Sequence, residues 1–402
     1  MPREDQLEGL SYLAWNANRD GAMSAFVVAV VKVGGASHLA DVKSLRSRYG
    51  AIPHHYSSWP KHSTVGRWVW CRVLAANGTL VTGFAVHLTS SRALPGTHIG
   101  RVEGLGRQLH EPIATCLGAL LREAARRIPR LLRLDARVFD EDPERRRTMT
   151  TSLAAVGFAP TERMRDYSHT VWVDLGRSDE ELLQRFSTRV RTTIRKAISS
   201  PLLRYGAIAG DQYLSRIAHL YTLPFERTGG VPPPLDGVGI LRDSFGGRNS
   251  LLVGSFVRDR NSPEDLVGFA WARLHGDIAV LEANASERRL PSVNSLSPGF
   301  GLMWRLFTWA RERGAKRVDL GGLPSTQPAA NDPLRGVIEF KLRFSRDFRE
   351  VAEEWRLDPH PLLTGAASAT RSVARLVRRT HGHLGQWKAT QRTSSGPSST
   401  LT

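Results

Sequence analysis

Three landmarks recur in the same order, at a nearly constant offset, along this chain of 402 residues. Gly83-Phe84-Ala85 is matched by Gly268-Phe269-Ala270, 185 positions on (83 to 268). Arg133-Leu134-Asp135 is matched by Arg317-Val318-Asp319, 184 positions on (135 to 319). The tryptophan-led segment ending in Asp174 is matched by the one ending in Asp358, again 184 positions on. A period of that length is a domain length, so the chain is a tandem pair of similar units rather than a solenoid.

Each unit reads alike. Two strands form a hairpin (68–74 with 80–88; 251–257 with 266–274), and a third follows (98–103; 278–284). Then come a helix (112–127; 298–313), a strand (131–137; 317–320), and a last strand near Trp172 or Trp355 that closes the unit. Hairpins followed by strand–helix–strand predict an α+β chain with two mixed sheets flanked by helices. The predicted units are 1–176 and 177–360, followed by a tail over 361–402.

Helix ends are marked. Asp142-Pro143 and Ser297-Pro298 each supply a cap and a proline at the first helical position, and Gly157 and Gly314 end the two helices. Ser178 with Glu181 is a capping box, opening a helix that links the units. Its Leu182, Phe186, Val190, Ile194 and Ile198 recur every four residues and predict one buried stripe.

Charge narrows the partners. Lys and Arg number 56 against 38 Asp and Glu, a formal +18. Six of the basic residues lie in the tail, which carries no acid and ends Ser/Thr-rich, so it reads as a solvated, disordered segment. The remaining +12 (18 less 6) favours a polyanion: nucleic acid, a phosphorylated metabolite or an anionic membrane face. No stretch reaches the roughly 20 apolar residues a spanning helix needs. The start, Met-Pro-Arg-Glu-Asp, lacks the basic run expected of a secretory signal, and two cysteines, Cys71 and Cys116, suit neither a disulfide framework nor a zinc site. The expectation is a cytoplasmic protein.

Candidate chemistry falls in three places. The linking helix carries Arg185, Arg189, Arg191, Arg195 and Lys196, either a solvated basic face or a phosphate-binding cluster. Two glycine-rich segments, Gly104-Leu-Gly106 and Gly299-Phe-Gly301, follow the third strand of each unit, where a helix N-terminus offers N–H groups to an anion. Acetyltransferases of the GNAT type hold the coenzyme A pyrophosphate at such a turn; Arg101 leads the first segment as in their pattern, whereas Leu296 leads the second. The third place is 314–349, where Asp319-Leu-Gly321-Gly322 ends a short strand and Lys341 stands between apolar neighbours. Such a lysine either flanks a helix or neutralises an oxyanion or phosphate.

Together these blocks resemble the Fem family of tandem-GNAT aminoacyltransferases, which build peptidoglycan interpeptide bridges, and the related FemAB-like N-acyltransferases. Val173-Asp174-Leu175 followed by Glu181-Leu182 and Arg191-Thr-Thr-Ile194-Arg195-Lys196-Ala197 is similar to the family's linker helix. Gly314 to Gly322 resembles its glycine-ended strand, and Glu339-Phe340-Lys341-Leu-Arg-Phe344 its Phe-Lys segment. The likeness spans about 80–358 and implies tandem GNAT-like domains. It implies aminoacyl-tRNA as donor, an amine of a cell-wall precursor or related peptide as acceptor, and no tightly bound cofactor. It places Lys341 and Phe340 at the reaction centre and makes Arg227 similar to an acceptor-site arginine. Asp319 and Glu282 are candidate polar groups nearby; Arg191, Arg195 and Lys196 are candidate donor contacts; Gly299 and Gly301 are candidate cofactor contacts. The family's final glycine after the Phe-Lys segment is Ser345 here, and the long helical arm some members carry is absent, which marks a divergent member. Two alternatives stay open. One is N-acyl transfer from acyl-coenzyme A or an acyl carrier protein. The other is non-catalytic binding of RNA or an anionic membrane surface, aided by the basic tail.

Overall fold

The computed structural model describes residues 12–16, 23–33, 35–49, 67–106, 111–162, 168–176, 178–227, 229, 232, 235, 249–257, 262–287, 296–323, 335–367, 369 and 370. The first part of the chain runs β1 (Tyr12–Asn16), β2 (Met23–Lys32), α1 (Ala36–Tyr49), β3 (Arg67–Ala75), β4 (Leu80–Ser90), β5 (His98–Gly106), α2 (Glu111–Arg127), β6 (Leu131–Phe139), α3 (Pro143–Ala155) and β7 (Ala159–Pro160). The second part runs β8 (His169–Asp174), α4 (Asp179–Arg185), α5 (Thr188–Ser199), β9 (Leu203–Ala207), α6 (Leu214–Glu226), β10 (Ser250–Val257), β11 (Leu266–His275), β12 (Ile278–Ser286), α7 (Pro298–Glu312), β13 (Arg317–Leu323), α8 (Arg335–Leu342), β14 (Asp347–Glu350) and β15 (Ala352–Leu357).

The duplication is visible as two mixed sheets. β2 to β6 lie side by side in one, and β9 to β13 repeat that order in the other. In each the last pair is parallel (β5 with β6, β12 with β13), because a helix crosses between them. Each sheet carries its own core. Leu117 and Leu121 of α2, with Ile128 just after it, pack on Val86, Val102 and Leu134 in the first. Met303, Leu306 and Phe307 of α7 pack on Ala272, Leu281 and Val318 in the second. The far face of the second sheet is covered by α6 through Ile217 and Leu220 against Phe256 and Phe269.

The closing strands are exchanged. β8, at the end of the first unit in sequence, pairs with β13 of the second sheet; β15, at the end of the second unit, pairs with β6 of the first. The chain passes between sheets at Val351, whose N–H and that of Ala352 both donate to the Ser168 carbonyl. A boundary drawn at 176 therefore divides the repeat but not the sheets. Residue spacing alone does not reveal this, because the 184-residue offset is the same whichever sheet a closing strand joins. Arg146 fastens the crossing: its guanidinium donates to the carbonyls of Asp140 (2.9 Å) and Glu350 (3.1 Å) and to the carboxylates of Glu350 (3.2 Å) and Glu353 (3.3 Å).

Three further departures have local causes. The linking helix is two helices, α4 and α5, because Phe186 takes an extended backbone and Ser187 caps a new start by accepting from the Val190 N–H. Ile198 is exposed, so the buried stripe ends at Ile194. The segment after 360 does not begin as free tail. Residues 361–367 are helical, Ala367 is buried, and the Thr364 hydroxyl donates to the Leu132 carbonyl at 3.1 Å. Residues 371–402, where most of the expected tail falls, lie outside the described residues. Among the described residues no helix is long and apolar enough to cross a membrane.

Candidate active site

In the second sheet, β12 and β13 pair only from Ile278 to Val280 against Arg317 to Asp319, although they run on to Ser286 and Leu323. Beyond the last pair the ladder ends, although a Cβ on Gly321 would still lie 3.5 Å from the Leu281 carbonyl oxygen; the unladdered C-terminal ends of the two strands form the candidate opening. Open α/β sheets bind ligands at such strand ends. β13 is shaped for it. Gly321 has φ +79°, a conformation that disfavours any side chain, and the N–H of Gly321 donates to Asp319 Oδ1 at 2.8 Å. The same oxygen accepts the Thr170 hydroxyl from β8. Asp319, 2% exposed, thus brackets the end of its own strand.

That bracket sets the Gly322 carbonyl, which accepts from Lys341 Nζ at 3.1 Å. Lys341 comes from α8, whose Ile338, one helical turn earlier, is buried in the second core and holds that face to the sheet. Burial lowers the Lys341 pKa to about 8, with the Asp319 charge opposing the drop. Phe340 lies edge-on to Phe300 of α7 (5.3 Å between ring centres) and to Phe344 (5.2 Å). A Cβ on Gly299 would lie 3.4 Å from Ser286 Oγ and 3.5 Å from the Phe340 ring. The end of β12, the first turn of α7 and the Phe340–Lys341 pair therefore meet around one opening. Lys341, Phe340, Asp319 and Gly299 are brought together, with Asp319 acting on backbone shape and on the lysine's charge.

Other candidates lie elsewhere. Leu281 belongs to the core beneath α7 and α8, so Glu282, the next residue on the strand, faces the opposite side. There Glu282 Oε1 accepts from Arg273 Nε (2.9 Å) and the terminal nitrogen (2.7 Å), and Arg273 stacks over Trp271 in the core under α6. Glu282 is a structural ion-pair partner rather than a neighbour of Lys341. Arg227 is exposed and caps the end of α6, on that same face. Gly301 serves packing: a Cβ there would meet the Tyr205 ring and hydroxyl at 2.1–2.7 Å. Arg191 closes the end of α4, donating to the carbonyls of Phe186 (2.9 Å) and Gln184 (3.4 Å) and to the Thr188 hydroxyl (3.1 Å). Arg195 and Lys196 are exposed on α5.

The first unit differs at the equivalent place. Its segment from Gly104 to Gly106 is strand rather than turn, and β5 pairs with β6, across an irregularity between Val102 and Leu105, as far as Gly106 opposite Phe139. A Cβ on Gly106 would sit 2.6 Å from the Phe139 carbonyl oxygen and 2.9 Å from Met149 Cε. That opening is zipped shut.

One comparison with known proteins falls on the same half. Residues 184–341 match the family described as acetyltransferase (GNAT) domain. In structure the chain is similar to FemX, at 15% identity and a TM-score of 0.63, covering 81% of this chain and 96% of that one. It is also similar to L-PGS from Bacillus licheniformis, at 12% identity and a TM-score of 0.48, covering 86% and 98%. No curated protein sequence matches the chain. The domain matched over 184–341 is of the GNAT acetyltransferase type, and the strand ends and Lys341 lie within it. The chain's two-domain fold is the one FemX has, as the sequence resemblance to the Fem family implied.

Sequence reasoning missed several parts of this frame. The N-terminal region, which shows no family likeness, supplies β1, β2 and α1 and extends the first sheet. Its signal was the apolar run Phe26 to Val31, a buried-strand pattern. Thr170, which fixes Asp319 from a strand 149 residues away, had no local signal at all.

Proposed function

We propose that the protein moves an amino acid from aminoacyl-tRNA to an amine of a cell-wall precursor or related peptide, forming an amide. The observation that carries this reading is Lys341, a half-buried ammonium held 3.1 Å from the Gly322 carbonyl at the mouth of the β12–β13 opening. In the step envisaged, the acceptor nitrogen attacks the ester carbonyl. The C–N bond forms, the ribose C–O bond breaks, and the proton lost by nitrogen ends on the departing ribose oxygen. Lys341 stabilises the oxyanion and, with a pKa of about 8, is suited to pass a proton to that oxygen. Phe340 and Phe300 exclude water beside it. The donor approaches over α7 and α8, the acceptor from the α6 side, where Arg227 stands. No covalent enzyme intermediate is required, because positioning and charge stabilisation suffice.

The test is acceptor-dependent deacylation of a charged tRNA pool. Turnover abolished by Lys341→Gln supports the reading. No deacylation with any amino acid, beside clear coenzyme A thioester turnover, sinks it. The match of 184–341 to an acetyltransferase domain favours that second reading, an acyl-coenzyme A donor, and the two separate by which ligand, tRNA or coenzyme A, raises the melting temperature.

A further inference from the structure

A second cleft lies on the outer side of the same domain, between α5 and the turn that follows α8. Its volume is about 870 Å³, within the range of small-molecule and cofactor sites. The floor is aromatic: Phe186, Phe300 and Phe344 pack on one another's neighbours in the second core. The rim is basic. Arg189 stands on α5, and Arg343 and Arg346 on the turn. All three are exposed, and none has a carboxylate partner among the described residues; Arg343 senses Glu339 only at longer range. The two acids of the lining are already engaged: Asp174 with Arg185 at 2.6 Å, and Asp347 with Arg349 at 2.7 Å. Trp172 borders the cleft too, but its ring turns to the other face of β8, against Val351 and Ala352, with Arg317 and Arg349 over it.

The chain itself links this cleft to the candidate centre. Arg343 and Arg346 follow Lys341 by two and five residues, so the rim lies at most about 18 Å from the lysine. Phe300 and Phe344 each touch the cleft on one side and Phe340 on the other. We propose that this cleft binds phosphate groups of the acyl donor, with Arg189, Arg343 and Arg346 meeting phosphate oxygens. The proposal rests on the donor reading above, and it adds a site that none of the linker-helix candidates Arg191, Arg195 and Lys196 provides. Planar guanidinium groups suit phosphate oxygens.

The experiment measures binding of the full chain to an uncharged RNA hairpin of acceptor-stem type, and separately to coenzyme A, between 50 and 200 mM salt. If each arginine neutralises one phosphate, the native protein's RNA affinity falls about 40-fold more over that range than that of the Arg189→Ala/Arg343→Ala/Arg346→Ala variant. The Lys variant at the same three positions keeps most of the native slope, and Lys316→Ala, on an exposed side chain outside the cleft, leaves it unchanged. Loss in the RNA arm names the RNA backbone as the source; loss in the coenzyme arm names the coenzyme's phosphates. Equal affinity and slope for native and triple-Ala proteins in both arms overturns the site. Lys341→Gln separates this from the donor reading, since it abolishes transfer and leaves RNA binding intact.

Discussion

Replacing Lys341 by methionine is expected to make the protein more stable and inactive together. Burial moves this ammonium from an ordinary 10.5 to about 8, a displacement worth about 3 kcal/mol at 1.36 kcal/mol per unit. The sign follows from linkage. A lysine whose folded pKa lies below its unfolded one binds fewer protons when folded between those two values, so stability rises with pH across that window. Below about pH 8 the folded state therefore carries the whole desolvation cost, and near pH 10.5 the cost is gone. Methionine matches the stem, avoids the charge and leaves only the Gly322 carbonyl without its donor, a loss of about 1 kcal/mol. The net gain at pH 7 is about 2 kcal/mol, and it vanishes near pH 10. Urea unfolding at both values reads it directly. A methionine variant less stable than the native protein at pH 7, or a gain independent of pH, would falsify the argument that Lys341 is held charged at a desolvation cost.

Further expectations follow from the same geometry. Asp319→Asn keeps an acceptor for Gly321 and Thr170 but removes the charge that props up the Lys341 pKa, so the alkaline fall in transfer activity moves to lower pH; an unmoved pH profile contradicts the coupling. Gly301→Ala drives a methyl group into the Tyr205 ring and costs about 1–3 kcal/mol, and in a double-mutant cycle Tyr205→Ala recovers part of that loss. Because each sheet holds a strand from the other unit, a fragment ending at residue 176 lacks β15 and does not fold, while the whole chain unfolds in one transition; two separate transitions refute this. Cys71 and Cys116 are buried, and burial pushes Cys116 up to about 12, so both thiols resist labelling until the chain unfolds globally.

Much of this was legible in residues. The 184-residue offset found the duplication, and residue patterning placed the hairpins, α2 and α7. Capping signals worked where they are local: Asp142 accepts from the N–H groups of Glu144 (2.9 Å) and Arg145 (3.4 Å). They failed where geometry overrides chemistry, as at Ser297, whose side chain makes no capping bond. The candidate site was read in outline because its parts lie on short stretches with glycine and lysine in unusual settings. What was hidden depends on contacts between distant segments. Arg191 is basic in sequence but is spent on closing α4. Glu282 is near in sequence to the opening yet faces away from it, because successive strand residues alternate faces. The glycines of the first unit look like those of the second, but pairing as far as Phe139 closes their opening.

That contrast between the two openings is the most direct thing to measure. Amide exchange of the full chain would be followed with and without a non-hydrolysable aminoacyl-RNA analogue. The account predicts slowed exchange at 281–286, 297–301 and 320–323 of the second sheet, and none at 104–106 or 136–139 of the first. Protection confined to the first unit, or spread equally over both, would contradict the assignment of the chemistry to the second.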